Sequence, residues 1–141
     1  MNNLIKSFIL CSSLIAITSC TTDKQNKSEE HTEINIIGKQ ATIEYPDFRA
    51  DMTYSSDSVL HWKTTAKADN KVEEGTENFS YKKIAKNIFF LNWIEKDGTT
   101  ISQVIDCNRQ QVSVYLSYSD NANGRGGRNG ILIEGKFHLK E

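Results

Sequence analysis

A chain of 141 residues gives room for one domain, since domains commonly run about 100–200 residues, and it excludes a second full-sized core. Hydrophobic residues at 38% and charged residues at 25% are ordinary for a soluble globular protein. A formal net charge of −1 excludes the strongly basic surface that steers a protein to nucleic acid.

The chain opens with MNNLIKSFILCSSLIAITSC, in which Lys6 precedes an apolar run from Phe8 to Ile17 and then small residues. This is the pattern of a secretory signal over residues 1–19, and the run is too short for a mature membrane helix, which needs about twenty residues. The end of the run, Ile17–Cys20 (ITSC), resembles the lipobox of bacterial lipoproteins, whose cysteine is diacylated and becomes the first residue. Cys20 is therefore the expected lipidation site, and its acyl chains would anchor the protein because each buried methylene contributes about 0.8 kcal/mol. The expected location is the cell envelope, with the protein lipid-anchored to the outer membrane on its periplasmic side. An ordinary signal cut near Ser19 is the alternative. Cys11 leaves with the signal and Cys20 carries lipid, so Cys107 has no partner for an intramolecular disulfide. The next stretch, TTDKQNKSEEHTE, has no aliphatic or aromatic residue to bury, so residues 20–33 are expected to form the lipidated cysteine and a flexible tether.

From residue 34 to 141 the hydrophobic period is two, and turn residues recur about every ten positions. The fold class expected is all-β, a small antiparallel barrel of about eight or nine strands. Candidate strands are Ile34–Ile37, Ala41–Tyr45, Phe48–Tyr54, Ser58–Thr65, Thr76–Lys83, Ile88–Glu95, Thr99–Asp106, Gln111–Tyr118 and Gly130–Leu139. Turn chemistry separates them: Gly98 in KDG tolerates positive φ, Asn108 in CNRQ suits a tight reversal, and Pro46 sits between strands, where its missing N–H costs no ladder bond.

Alternation then assigns faces. Phe89, Leu91, Trp93 and Glu95 share one side of their strand and are bulkier than Phe90, Asn92, Ile94 and Lys96, so the first set is placed inside. Leu60, Trp62 and Thr64 are placed inside on the same ground, with Phe79 and Tyr81 facing them. Glu95 would then stand beside Trp93 near one mouth of the barrel. A carboxylate there needs a partner, a raised pKa or water from an open cavity, because an unpaired buried charge costs several kcal/mol. The competing expectation is that Glu95 simply ends its strand in water, since one bulge flips the face.

VLHW (Val59–Trp62), Gly75 with Glu77, Tyr81 and above all NWIEKDGTTISQVID (Asn92–Asp106) resemble the MoaF-like domain, a calycin-type β-barrel related in shape to lipocalins. Bacterial phenolic acid decarboxylases share that barrel and carry a similar Trp-x-Glu followed by Gly-Thr. The resemblance implies a central cavity open at one end and, in the decarboxylase branch, an internal Glu that works with paired tyrosines and an arginine; Glu95 matches that Glu. The other members do not carry over: Tyr45 and Tyr54 stand nine apart, and Gly75 is followed by Thr76, not arginine.

Other constellations are weak. His31, His61 and His138 have no spacing that brings two to one metal, so no metal and no cofactor is expected. Cys107 beside a turn reads as an inert, half-buried thiol. GRGGRNG (Gly124–Gly130) lacks the following helix of a phosphate loop; it is a long hairpin tip, or else it sets Arg125 or Arg128 at the barrel mouth to draw in an anion. No nucleophile elbow for serine chemistry is present. The expected function is a small, partly apolar ligand held among Trp62, Tyr81, Trp93 and Glu95. One alternative is an enzyme on a small aromatic acid with Glu95 as general acid; another is an envelope interaction module with a filled barrel.

Overall fold

The period-two rhythm is realised as eight strands: β1 (Gln40–Glu44), β2 (Phe48–Tyr54), β3 (Val59–Ala66), β4 (Val72–Ala85), β5 (Ile88–Ile94), β6 (Thr100–Asp106), β7 (Gln111–Ser119) and β8 (Arg128–Leu139). They come from a computed structural model that describes residues 32–122 and 125–140; the signal, Cys20 and most of the expected tether lie outside the described residues. Each strand pairs antiparallel with the next, and β8 closes on β1 through Ala41↔Leu139 to Glu44↔Lys136, giving a closed barrel. Closure pairs the edge strands that would otherwise expose a row of unpaired N–H and C=O groups.

The interior follows the parity expected. Leu60, Phe89, Leu91, Ile105, Val112 and Phe137 are each at most 1% exposed and fill the lower barrel. Phe79, Tyr81 and Phe89 form one aromatic ladder there, with Tyr81 stacked on Phe89 at 5.8 Å and edge-on to Phe79 at 6.3 Å. Such contacts add to burial because the ring edges and faces carry opposite partial charge.

Two local expectations need correction, and one turn is refined. Ile34–Ile37 is not a strand: the segment is irregular, Gly38 turns it with φ +78°, and the Ile34 and Ile37 N–H groups bond to asparagine side chains rather than to a ladder. Asn87 at 1% exposure supplies the bond, its Oδ1 accepting from Ile34 N at 2.8 Å while its Nδ2 donates to Thr32 O and Asn108 Oδ1. Ile36 still reaches the core at 0% exposure, and Lys83 pairs with Glu33, so the last expected tether residues touch the barrel. The CNRQ reversal forms as expected around Asn108, with Gln110 as its left-handed residue (φ 54°). The Asp106 carboxylate caps this turn through Asn108 N and Arg109 N, and Asn108 is left to bridge to Lys86 O. Finally, β4 begins at Val72, earlier than its polar start suggests, because Val72–Asn78 pairs with β3 while Phe79–Ala85 pairs with β5 across a bulge at Lys83/Ala85.

Candidate functional site

The upper half of the barrel is hollow. A cavity of about 410 Å³ opens at the end that carries the β5–β6 turn and the β3–β4 loop, which is within the range of roughly 300–1,000 Å³ typical of small-molecule sites. Its walls are mostly apolar: Met52, Ile101, Val114, Leu116 and Ile133 stand around the two indoles of Trp62 and Trp93, with Phe48 and Tyr45 at one side.

The placement of the large rings has a backbone cause. Trp62 on β3 faces Gly75 on β4, and a Cβ built on Gly75 would meet Cε2, Cζ2 and Nε1 of Trp62, each at 2.9 Å. Three ring atoms at equal distance mean that the indole lies flat across the glycine, with its other face turned to the cavity that it lines. Trp93, 6% exposed, comes from β5 beside Phe79.

Polar groups are few and mostly unpartnered. Trp62 Nε1, Trp93 Nε1 and Gln103 Oε1 are buried with no hydrogen-bond partner in the protein. The Gln103 amide Nε2 donates to the Tyr45 hydroxyl at 3.4 Å, and burial raises the Tyr45 pKa well above the ordinary phenol value, so that hydroxyl keeps a proton to give. A buried donor or acceptor without a partner costs about 1–3 kcal/mol, so three around one cavity mark a place that a polar ligand or water completes.

Glu95 lies at the mouth, where β5 ends and its N–H is fixed by Thr99 O at 2.8 Å. Burial raises its carboxyl above the ordinary value of 4.5; the Trp93 indole opposes this as a nearby donor, and the carboxylates of Asp97, Glu77 and Glu73 add to the rise. No acceptor meets hydrogen-bonding geometry at Trp93 Nε1, so the indole acts on Glu95 at a distance and remains available. The raised value has a consequence for stability. The native protein holds this proton at pH values where the unfolded chain has released it, so the stability it brings is present below 4.5 and is lost as pH rises through the native value. Glu95→Gln is expected to raise the melting temperature at neutral pH and to flatten the loss between acidic and neutral pH; a lower melting temperature with the slope intact would contradict a desolvated Glu95.

Of the expected binding residues, Trp62, Trp93 and Glu95 meet around this cavity. Tyr81 does not: one register step deeper on β4, paired opposite Leu91, it belongs to the aromatic ladder below the cavity floor. Two residues outside the expected set join the cavity, Gln103 and Tyr45. Gln103 shares the inward parity of Ile101 and Ile105, and a lone amide on an otherwise apolar inward face was the available signal. Arg128 does not reach into the mouth, because its guanidinium is spent on Ser117 O at 2.6 Å, Gly98 O at 3.1 Å and Thr100 Oγ1 at 3.4 Å. It pins the turn behind Glu95 instead.

Chemistry elsewhere is sparse. His61 Nδ1 bonds Thr76 Oγ1 at 3.0 Å, and no group of three His, Cys, Asp or Glu among the described residues could hold a metal. Cys107 is 8% exposed, and burial pushes its thiol up to about 11, which keeps it protonated and unreactive near neutral pH.

A family model described as MoaF-like matches residues 37–126. Among solved structures, one described as "a putative beta-lactamase from Burkholderia vietnamiensis" is similar with a TM-score of 0.62 and 14% identity, over 77% of this chain and 98% of that chain. At that identity the likeness is one of fold alone. No curated protein matches the chain.

Proposed function

This chain belongs to the MoaF-like family, and from that premise we propose that its barrel is a binding protein for a small, partly apolar molecule, held to the cell envelope by lipid on Cys20. The observation that carries the binding reading is the trio of buried, unpartnered polar atoms, Trp62 Nε1, Trp93 Nε1 and Gln103 Oε1, around one apolar cavity. A merely empty cavity would be cheaper without them, since each costs desolvation that a ligand or water offsets. The apolar walls supply affinity, and the three orphans fix orientation.

The test is calorimetric titration of 2-phenoxyethanol, a neutral molecule with an apolar ring and oxygen acceptors, into the full chain. Saturable binding is expected, and it should vanish in Ile133→Trp, which fills the cavity from its half-buried wall while keeping the residue apolar. Undiminished heat in that variant would mean that the ligand sits elsewhere. For the anchor, Cys20→Ala is expected to move the protein from the detergent phase to the aqueous phase in a phase-partition assay. A protein that is aqueous before the substitution would end the lipoprotein reading.

One observation favours a second reading, catalysis with Glu95 as general acid: its pKa is raised, as such a role requires. The site is poorly built for an aromatic acid substrate, however. Lys71, the cation lining the cavity, is already paired with Glu73 at 2.7 Å. Loss of ultraviolet absorbance on incubation with hydroxycinnamates would establish the activity, and unchanged spectra with folded protein would dismiss it.

A further inference from the structure

The mouth of the cavity is negatively charged on one wall. Glu73, Gly75 and Glu77 alternate with outward residues along the upper half of β4, on the same inward parity as Phe79, and Glu95 ends β5 on the parity of Trp93. Glu73 and Glu95 line the cavity, and Glu77, beyond its lining, stands close enough to act on Glu95. Glu73 is neutralised by Lys71, but no ion pair to Glu77 or Glu95 occurs among the described residues. A further carboxylate that acts on Glu95 is Asp97, whose Oδ1 accepts from Thr99 N at 2.8 Å. Beside this wall lies the free face of Trp62, flat over Gly75.

These features discriminate between ligands. A carboxylate entering the cavity would find donors in the two indoles but would meet uncompensated like charge at Glu95 and Glu77. A protonated amine meets the reverse: unpaired carboxylates in a partly apolar setting and an indole face whose quadrupole attracts cations. The buried donors Trp62 Nε1 and Trp93 Nε1 then call for a neutral oxygen on the body of the ligand, and Gln103 Oε1 accepts from any N–H or O–H that reaches the floor.

We propose that the ligand is an organic cation, an amine with an apolar body and a neutral oxygen acceptor, whose ammonium sits between Glu95, Glu77 and the face of Trp62. This rests on the binding reading above and names the class of molecule that the same site takes. Burial raises the carboxyl of Glu95 most, and the carboxylates of Asp97, Glu77 and Glu73 add to it; a cation at that place would offset that added part.

A matched trio separates this inference from the reading it rests on: 2-phenoxyethylamine, phenoxyacetate and 2-phenoxyethanol share ring and ether oxygen and differ in charge. Titrated into the full chain near neutral pH, the amine is expected to bind at least about tenfold more tightly than the acid. The preference should shrink to within about threefold in Glu95→Gln, with Glu77→Gln as a second variant that moves it the same way, and it should weaken with added salt. If the alcohol binds but the acid equals or exceeds the amine, cation selection is wrong and the cavity reading stands. If none of the three binds, both fall. A preference for the amine that both variants leave intact would place the cation elsewhere and overturn this assignment.

Discussion

Replacing Phe89 by alanine is expected to lower the unfolding free energy by about 3–5 kcal/mol, the range for an aromatic ring removed from a packed core. The ring is 1% exposed, stacks on Tyr81 at 5.8 Å, and sits on β5 between two strand partners, Lys83 on β4 and Ile105 on β6. Neighbouring strands in a closed barrel are held on both sides by ladder hydrogen bonds, so they cannot slide in to refill the space. The loss would be a fifth or more of the stability of a typical domain, roughly 5–15 kcal/mol. Urea unfolding followed by circular dichroism measures it, and Phe89→Leu, which keeps most of the volume, should lose much less. A change in the alanine variant below about 1 kcal/mol would mean that the lower barrel is loosely packed and can collapse.

Asn87→Ala is expected to cost about 2–4 kcal/mol, for two separable reasons. The side chain closes the bottom of the barrel by holding Ile34 N, Thr32 O and Asn108 Oδ1, and its loss leaves the Ile34 N–H without that acceptor. The backbone is also left-handed at φ 59°, a conformation in which alanine is strained and asparagine is tolerated. Asn87→Gly removes the bonds but not the conformational freedom, so it should recover about 1 kcal/mol relative to alanine. Hydrogen exchange supplies a local readout: protection of Ile34 and Ile36 should fall in both variants while β6 and β7 keep theirs. Equal stability for the alanine and glycine variants would remove the backbone part of the argument.

How much of this was legible from residues alone depends on how local each cause is. Strand positions such as Phe48–Tyr54, and the inward placing of Phe89, Leu91 and Trp93, follow from side-chain alternation, which is a property of consecutive residues. The same holds for Gly98, where a turn residue announces its own backbone angle. Ile34–Ile37 misled because an apolar run reads as a strand whether or not a neighbouring edge exists to pair with it, and here Asn87, more than fifty positions away, takes up the Ile34 N–H instead. Tyr81 misled because parity tells which side a residue faces but not how far down the barrel it stands. Depth depends on the stagger between strands, and that is set by the pairings of β4 with β3 above and β5 below.

The residues in order determined the all-β class, the inward faces of the strands, and the family likeness, because each arises from neighbours within one strand or one hairpin. Only the closed barrel decided that the upper interior is hollow and that Trp62 lies flat on Gly75. It alone left Trp62 Nε1, Trp93 Nε1 and Gln103 Oε1 without partners, brought Glu73 and Glu95 to one mouth, and set Glu77 close enough to act on Glu95. The physical reason is that a cavity and its charge belong to several strands at once, and their relative stagger is fixed by ladder hydrogen bonds between segments distant in the chain.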